Sequence, residues 1–207
     1  MPTRIFHITH VENLASIAEH GLLSDNAVMD AGLGHQSIAH MGIKQRRAET
    51  PVPCAPGGTL ADYVPFYFAP RSPMLYTINQ GNVGTVSDGQ SGIVHLVLRA
   101  EDLMADQECV FTDGHAIMDF TNFFNDVTDL SQLDWECIET RQWGSYYDPT
   151  DETKRKKQSE FLALHSVPWE RVRGIATPTT ACSALVQKAL EGVAHQPSVA
   201  VKRDWYY

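Results

Sequence analysis

Hydrophobic positions change period several times along the chain, and each change marks an element. In RIFHITH, Ile5, His7 and Thr9 alternate with Phe6, Ile8 and His10, the two-residue period of a short strand. The spacing then lengthens. Val11, Leu14, Ile17 and Ala18 recur at helical intervals behind a Thr9-x-x-Glu12 capping pattern, predicting a helix from about Val11 to His20 that Gly21 ends. Residues 24–60 lose clear periodicity and carry several Gly and Pro. They read as a long connection with one helical piece around Gln36–Arg47, and connections of that length are often functional. YVPFYFAP (Tyr63–Pro70) is aromatic and β-prone, so it predicts a strand in which Pro65 calls for an edge or a bulge. A short helix follows, with Ser72 as its N-cap and Pro73 in its first turn.

Downstream, GIVHLVLRA (Gly92–Ala100) predicts a buried strand, and ECVFTDGHAIM another strand leading into a turn. LSQLDW predicts a short helix. ECIETRQWGSYYDPTDETKRKKQ is polar and aromatic with turn residues, and reads as a loop. SEFLALHSV and VRGIATP predict strands, TTACSALVQKALEGV an amphipathic helix, and SVAVKRDWY a final strand. Strands and helices mix without a βαβ rhythm, which favours an α+β fold with a largely antiparallel or mixed sheet. The 207 residues suit one domain, 1–207.

Composition narrows the function. With 43% hydrophobic and 20% charged residues the chain has a globular balance. No run of eighteen apolar residues and no signal-peptide pattern occurs, so a soluble intracellular protein is expected. Cys54, Cys109, Cys137 and Cys182 are scattered without a CxxC pair, which reads as reduced thiols rather than a zinc knuckle. The net charge of -9 argues against indiscriminate nucleic-acid binding. Any nucleic acid needs a local basic groove, for which Lys44–Arg47 and the denser Lys154–Lys157 are the candidates. GLGHQS lacks the third glycine of a dinucleotide fingerprint, and no P-loop or HExxH is present. His7 and His10 of HITH point to opposite faces of a strand, so no metal is expected there. GQSG, just before the Ile93 strand, lacks the spacing of a nucleophile elbow.

A polar set is left: His7 and Thr9 in the first strand, Arg46 and Arg47, the Tyr63–Arg71 block, and Glu160 at the head of a late strand, preceded by a long loop. In that order the chain resembles the DarT family of bacterial DNA ADP-ribosyltransferase toxins. The likeness lies in IFHITHVENLASIAEHGLL, IKQRR, LADYVPFYFAPRSPMLY, TDGHA and SEFL, and extends over nearly the whole chain. It implies an ADP-ribosyltransferase fold, a split α+β sheet with flanking helices around an NAD cleft. It also implies transfer of ADP-ribose from NAD+ to a base in single-stranded DNA, thymidine in the larger branch and guanosine in another. The aromatic block is more similar to the thymidine branch. The implied partner is the antitoxin DarG, whose macrodomain removes the modification, and the implied location is the bacterial cytoplasm.

The resemblance also assigns residues. Glu160 and Arg47 are the expected catalytic pair: a carboxylate beside the ribose offsets the positive charge that develops as the nicotinamide bond breaks, and a guanidinium holds phosphate or an anionic base. Read alone, Glu160 is a solvated strand-end charge, and either Arg46 or Arg47 faces water. His7, Thr9, Asn13, Arg47 and Tyr67 are the expected NAD contacts, with Tyr67 turned to the cleft while Phe66 and Phe68 fill the core. Asn13 is as well placed for the surface, and His7 for a structural role. Arg71, Met74 and His115 are the DNA-side candidates, although a helix methionine is usually packing. Trp143, Tyr146, Tyr147, Lys154 and Arg155 complete an acceptor loop of stacking rings and cations before Glu160. The rival readings are transfer to RNA or protein and an inactive NAD- or nucleic-acid-binding module.

Overall fold

Alternating strands need a partner on either edge, and here most find one in a single eight-stranded sheet. The computed structural model describes residues 2–39, 41–83, 88–144 and 146–207. His40, inside the helical piece expected at 36–47, and Ser145, inside the expected loop, lie outside these residues. In chain order the elements begin with β1 (Arg4–His10), α1 (Leu14–His20), β2 (Leu22–Leu23), α2 (Asp25–Asp30) and α3 (Met41–Glu49). They continue with β3 (Tyr63–Tyr67), α4 (Pro73–Asn79), β4 (Ile93–Arg99), α5 (Ala100–Met104), β5 (Cys109–Thr112), β6 (Phe123–Phe124) and α6 (Trp135–Glu139). The last are α7 (Glu152–Lys157), β7 (Glu160–Leu164), β8 (Ser166–Val167), β9 (Gly174–Thr177), α8 (Thr180–Ala189) and β10 (Ser198–Val201).

The sheet runs β10-β9-β4-β1-β3-β7-β5-β6, with β10 parallel to β9 and the other neighbours antiparallel, so it is mixed, as expected. β2 and β8 form a separate pair. Ile5, Phe66, Leu96, Leu98, Phe111 and Phe161 are buried in the main core, and Phe66 and Phe68 lie in it as the alternation predicts. Ser72 caps α4 by accepting from the Leu75 N–H at 3.1 Å.

The junction of β1 and β3 positions the site. β1 pairs with β4 over all seven of its residues, but with β3 through one pair only, Phe6 and Tyr67. Beyond it the two strands part, and the sheet splits. Of the edge or bulge that its sequence called for, Pro65 has no outer edge, since β3 lies between β1 and β7; it sits at that split. Its carbonyl accepts from His7 Nδ1 at 2.8 Å on the β1 side. The Pro65 nitrogen, which has no proton, faces the same gap, so no ladder bond is lost.

Other expectations are corrected. The expected Val11–His20 helix starts with a 3-10 turn at Val11–Asn13, capped by His10 rather than Thr9. Short elements at α2, α5, β2 and β6 were not predicted. SEFLALHSV breaks at His165, whose φ of 60° ends β7 before β8. The expected 136–158 loop contains most of α6 and all of α7. SVAVKRDWY is a strand only to Val201 and then a 3-10 turn, Arg203–Trp205.

Candidate active site

Glu160 opens β7, and the neighbouring strands fix what surrounds it. Its N–H donates to Thr112 Oγ1 at 3.0 Å at the end of β5, and that hydroxyl donates to the Gly114 carbonyl at 2.7 Å. The turn so anchored delivers two donors to Glu160 Oε1, the Ala116 N–H at 3.1 Å and His115 Nδ1 at 3.2 Å. Arg47 Nη1, from the last turn of α3, donates to Oε2 at 2.7 Å, and its Nη2 lies 3.4 Å from the Leu60 carbonyl. The carboxylate is only 5% exposed and the arginine 8%. Burial alone would raise the Glu160 pKa, but the Arg47 charge and the His115 hydrogen bond outweigh it and hold the carboxyl at about 2. The group is therefore a fixed anion. Arg46 is exposed on the same helix, so the geometry selects Arg47 of the two.

Across the split lies a cleft of about 400 Å³, lined by His7, Thr9, Asn13, Tyr67, Met74, His115, Lys154, Arg47 and Glu160 among others. His7 reaches into it as a neutral ring, because burial lowers its pKa. Its Nδ1 must donate to the Pro65 carbonyl, which leaves Nε2 as a hydrogen-bond acceptor. Thr9 Oγ1 accepts from Asn13 Nδ2 at 3.0 Å, so its own proton remains available. Tyr67 is the cross-strand partner of Glu160 and shares its face; burial and the Glu160 charge raise its pKa and keep the phenol neutral. Ser37 Oγ also lines the cleft, buried and without a hydrogen-bond partner, a donor that a polar ligand would satisfy. The sequence offered no signal for it beyond the long connection on which it lies.

Several assigned residues sit differently from expectation. Asn13 has its amide committed to the chain: Nδ2 donates to the Gln36 carbonyl at 2.9 Å and Oδ1 accepts the Gln36 N–H at 2.7 Å. It clamps the 33–39 segment over the cleft instead of presenting a free amide to NAD. His115 is bonded to Glu160, at the catalytic end. Met74 Sδ accepts from the Tyr67 hydroxyl at 3.6 Å, inside the cleft. Arg71 lies outside the cleft lining, stacked 4.3 Å over the Tyr207 ring. Trp143 meets Tyr76 edge-on at 5.3 Å and donates from Nε1 to the Tyr207 hydroxyl at 3.2 Å. Tyr146 and Tyr147 are exposed.

The four successive cations do not act together, because α7 turns each by about 100° from the last. Arg155 pairs with Glu152 and, at 3.5 Å, with Asp113; Lys156 Nζ donates to Asp134 at 2.9 Å; Lys157 Nζ is buried and donates to the Ile138 carbonyl at 2.8 Å. Lys154 is the member that lines the cleft. Arg155 is thus a brace within the protein in this structure, and Lys154 the cation turned to the cleft.

Residues 6–207 match the family model described as "ssDNA thymidine ADP-ribosyltransferase, DarT". A DNA ADP-ribosyl transferase from Thermus sp. (strain 2.9) is 42% identical over 210 residues, covering 100% of this chain and 97% of that protein. The chain belongs to the DarT family. It is accordingly an NAD-dependent DNA ADP-ribosyltransferase. The structure of Thermus sp. 2.9 DarT in complex with ADP-ribosylated ssDNA superposes with a TM-score of 0.91 at 41% identity, over 100% of this chain and 97% of that one. The same relative in complex with NAD+ gives 0.87 at 39%, over 100% and 98%. A DNA ADP-ribosyl transferase–DNA ADP-ribosyl glycohydrolase fusion protein from Thermosipho africanus (strain H17ap60334) is 21% identical over 188 residues, 90% of this chain and 45% of that protein. The overall fold is therefore the one that the Thermus sp. 2.9 protein has.

Proposed function

We propose that this chain is the toxin of a toxin–antitoxin pair and transfers ADP-ribose from NAD+ to thymidine in single-stranded DNA. The observation that carries the reading is the buried Glu160 carboxylate, held by Arg47, His115 and the Ala116 N–H at the wall of the cleft. NAD+ supplies the ADP-ribosyl group: its bond to nicotinamide breaks, nicotinamide leaves with the electron pair, and a thymine ring nitrogen bonds to the anomeric carbon and loses its proton. Glu160 faces the positive charge that this cleavage develops, and being ionised at any working pH it opposes that charge without first losing a proton. The same low pKa makes it a poor base while Arg47 is bonded to it, so accepting the thymine proton requires Arg47 to shift to another anion. Arg47 holds a phosphate or the anionic thymine once displaced. His7 Nε2 accepts from a ribose hydroxyl, Thr9 donates to the amide or ribose, and Tyr67 gives a ring face for nicotinamide. The buried Ser37 hydroxyl adds one more donor on that wall.

Arg71, Met74, His115, Lys154 and the exposed Tyr146 and Tyr147 make the acceptor side. A local cation beside rings suits a short single strand in a protein with net charge -9. The match to a family model whose description names thymidine, and the likeness of the aromatic block to that branch, favour thymidine over guanosine. A partner antitoxin with an ADP-ribosyl-removing macrodomain, DarG, acting with this chain in the bacterial cytoplasm, fits the Thermosipho protein that joins transferase and glycohydrolase in one chain.

The test is to incubate the protein with NAD+ and single-stranded oligonucleotides that contain or lack thymine, with Glu160→Gln alongside, and to weigh each oligonucleotide. A gain of one ADP-ribose that needs both thymine and Glu160 is expected. A gain on guanine-only strands moves the chain to the guanosine branch. Nicotinamide release with no DNA mass gain sinks the DNA reading and points to RNA or protein.

A further inference from the structure

Residues 203–206 read as a strand end in the sequence, yet with Tyr207 they pack against the acceptor side. The Tyr207 ring is fixed from several directions. Its hydroxyl accepts from Trp143 Nε1 at 3.2 Å and lies 3.3 and 3.4 Å from the carbonyls of Arg71 and Ser72. Its ring meets Tyr76 edge-on at 5.1 Å, and its backbone N–H donates to Gln90 Oε1 at 3.1 Å. On this held ring the Arg71 guanidinium stacks at 4.3 Å. A guanidinium held over a ring still has N–H groups with which to donate in its own plane. No carboxylate pairs with Arg71 among the described residues, and its Nε is buried without a hydrogen-bond partner. A second cation is near: Lys157 has its pKa lowered to about 8, first by burial and then by the Arg71 charge. A buried, unpaired donor is costly unless a ligand completes it. Here the local charge calls for an anion.

We propose that Tyr207 is a positioning residue for the acceptor strand: its ring, braced by Trp143 and Tyr76, aims the edge of Arg71 at a backbone phosphate of the single-stranded DNA next to the modified nucleotide. This rests on the acceptor assigned above. Trp143 thereby becomes a brace, and Tyr146 and Tyr147 remain the rings free to stack on bases.

The experiment measures transfer to a thymine-containing oligonucleotide and, separately, NAD+ hydrolysis without DNA. Tyr207→Leu removes the ring and should raise KM for the oligonucleotide roughly tenfold, in line with a partly desolvated cation–π contact. KM for NAD+ should not move, and neither should the rate of NAD+ hydrolysis, which also reports that the variant is folded. Tyr207→Phe keeps the ring and should restore most of the affinity. Combined with Arg71→Ala, Tyr207→Leu should add little, because both act through one contact. An unchanged oligonucleotide KM in Tyr207→Leu, or full additivity with Arg71→Ala, overturns the proposal. Should Tyr207→Leu not fold, Arg71→Lys carries the test: it keeps the charge but loses the planar stack, and an unaltered KM overturns the proposal equally. Wild-type protein that hydrolyses NAD+ but modifies no DNA removes the acceptor reading and this inference with it, whereas transfer with unaffected variants removes the brace alone.

Discussion

At one end of the cleft, Glu160 and Arg47 are buried, bonded to each other at 2.7 Å and held from β7, α3 and the turn after β5. In the segment before α7, by contrast, Tyr146 and Tyr147 are 91% and 58% exposed and meet each other edge-on at 5.2 Å. The difference follows from what each group is proposed to do. A carboxylate that opposes a charge present only in the transition state has to be in place beforehand, since reorganising it during the reaction would forfeit the gain. A flexible strand can instead be gripped by side chains that order on contact. Arg71 lies between these extremes, a cation 4.3 Å over the Tyr207 ring with its Nε buried and unpaired.

The comparison breaks most visibly at Arg47. Arg47→Ala leaves Glu160 buried with a negative charge and no ion-pair partner, a change that costs about 3–5 kcal/mol of stability in buried pairs generally. A large fall in denaturant midpoint is expected together with loss of transfer. Tyr146→Ala, treated in the same way, should leave the midpoint where it is. Loss of transfer in Arg47→Ala without a shift in midpoint would show that the pair serves chemistry alone.

Acid sharpens the same contrast. The native Glu160 pKa of about 2 lies below the ordinary 4.5, so between those values the unfolded chain binds more protons than the folded one. The stability that Glu160 contributes is present in full above about pH 4.5 and is lost as pH falls towards 2. Glu160→Gln has no such proton to gain. Its unfolding free energy should decline less steeply than that of the wild type across this window, as urea titrations at stepped pH would read. Parallel curves would mean that the carboxylate is not held as the structure places it.

How far the sequence foretold this depends on the range of each interaction. Period and capping are local, so β1, β4, α8 and the Ser72 cap were legible in HITH, IVHLVLR, TTACSALVQKALEGV and SPMLY. Which strand lies beside which is not a local property, and Pro65 shows the consequence: its missing N–H marked a gap in the ladder, and only the split between β1 and β3 shows that the gap is internal. The α7 helix was hidden because KRKK has no apolar stripe to reveal a period. A weaker signal was present, as Glu152 in its first turn and basic residues in its last complement the helix dipole. The Arg47–Glu160 pair spans 113 residues, and its pairing was not written in any spacing. Family likeness identified both residues without saying that they touch. The same likeness pointed to Arg155 and Asn13, whose polar groups are bonded within the fold.

The smallest expected effect tests that last point within α7. Lys154 lines the cleft, whereas Arg155 is held by Glu152 and Asp113. A cation that neutralises one phosphate of a single strand changes the slope of log affinity against log salt by roughly 0.7. Lys154→Ala should therefore weaken oligonucleotide binding a few-fold at low salt and flatten that slope by about one contact, while Arg155→Ala should leave the slope unaltered. Fluorescence anisotropy with a labelled oligonucleotide, titrated at several salt concentrations, separates the two. A flattened slope in Arg155→Ala would mean that DNA draws this arginine away from its carboxylates, and that the 152–157 helix rearranges on binding while the Glu160 end stays as it is.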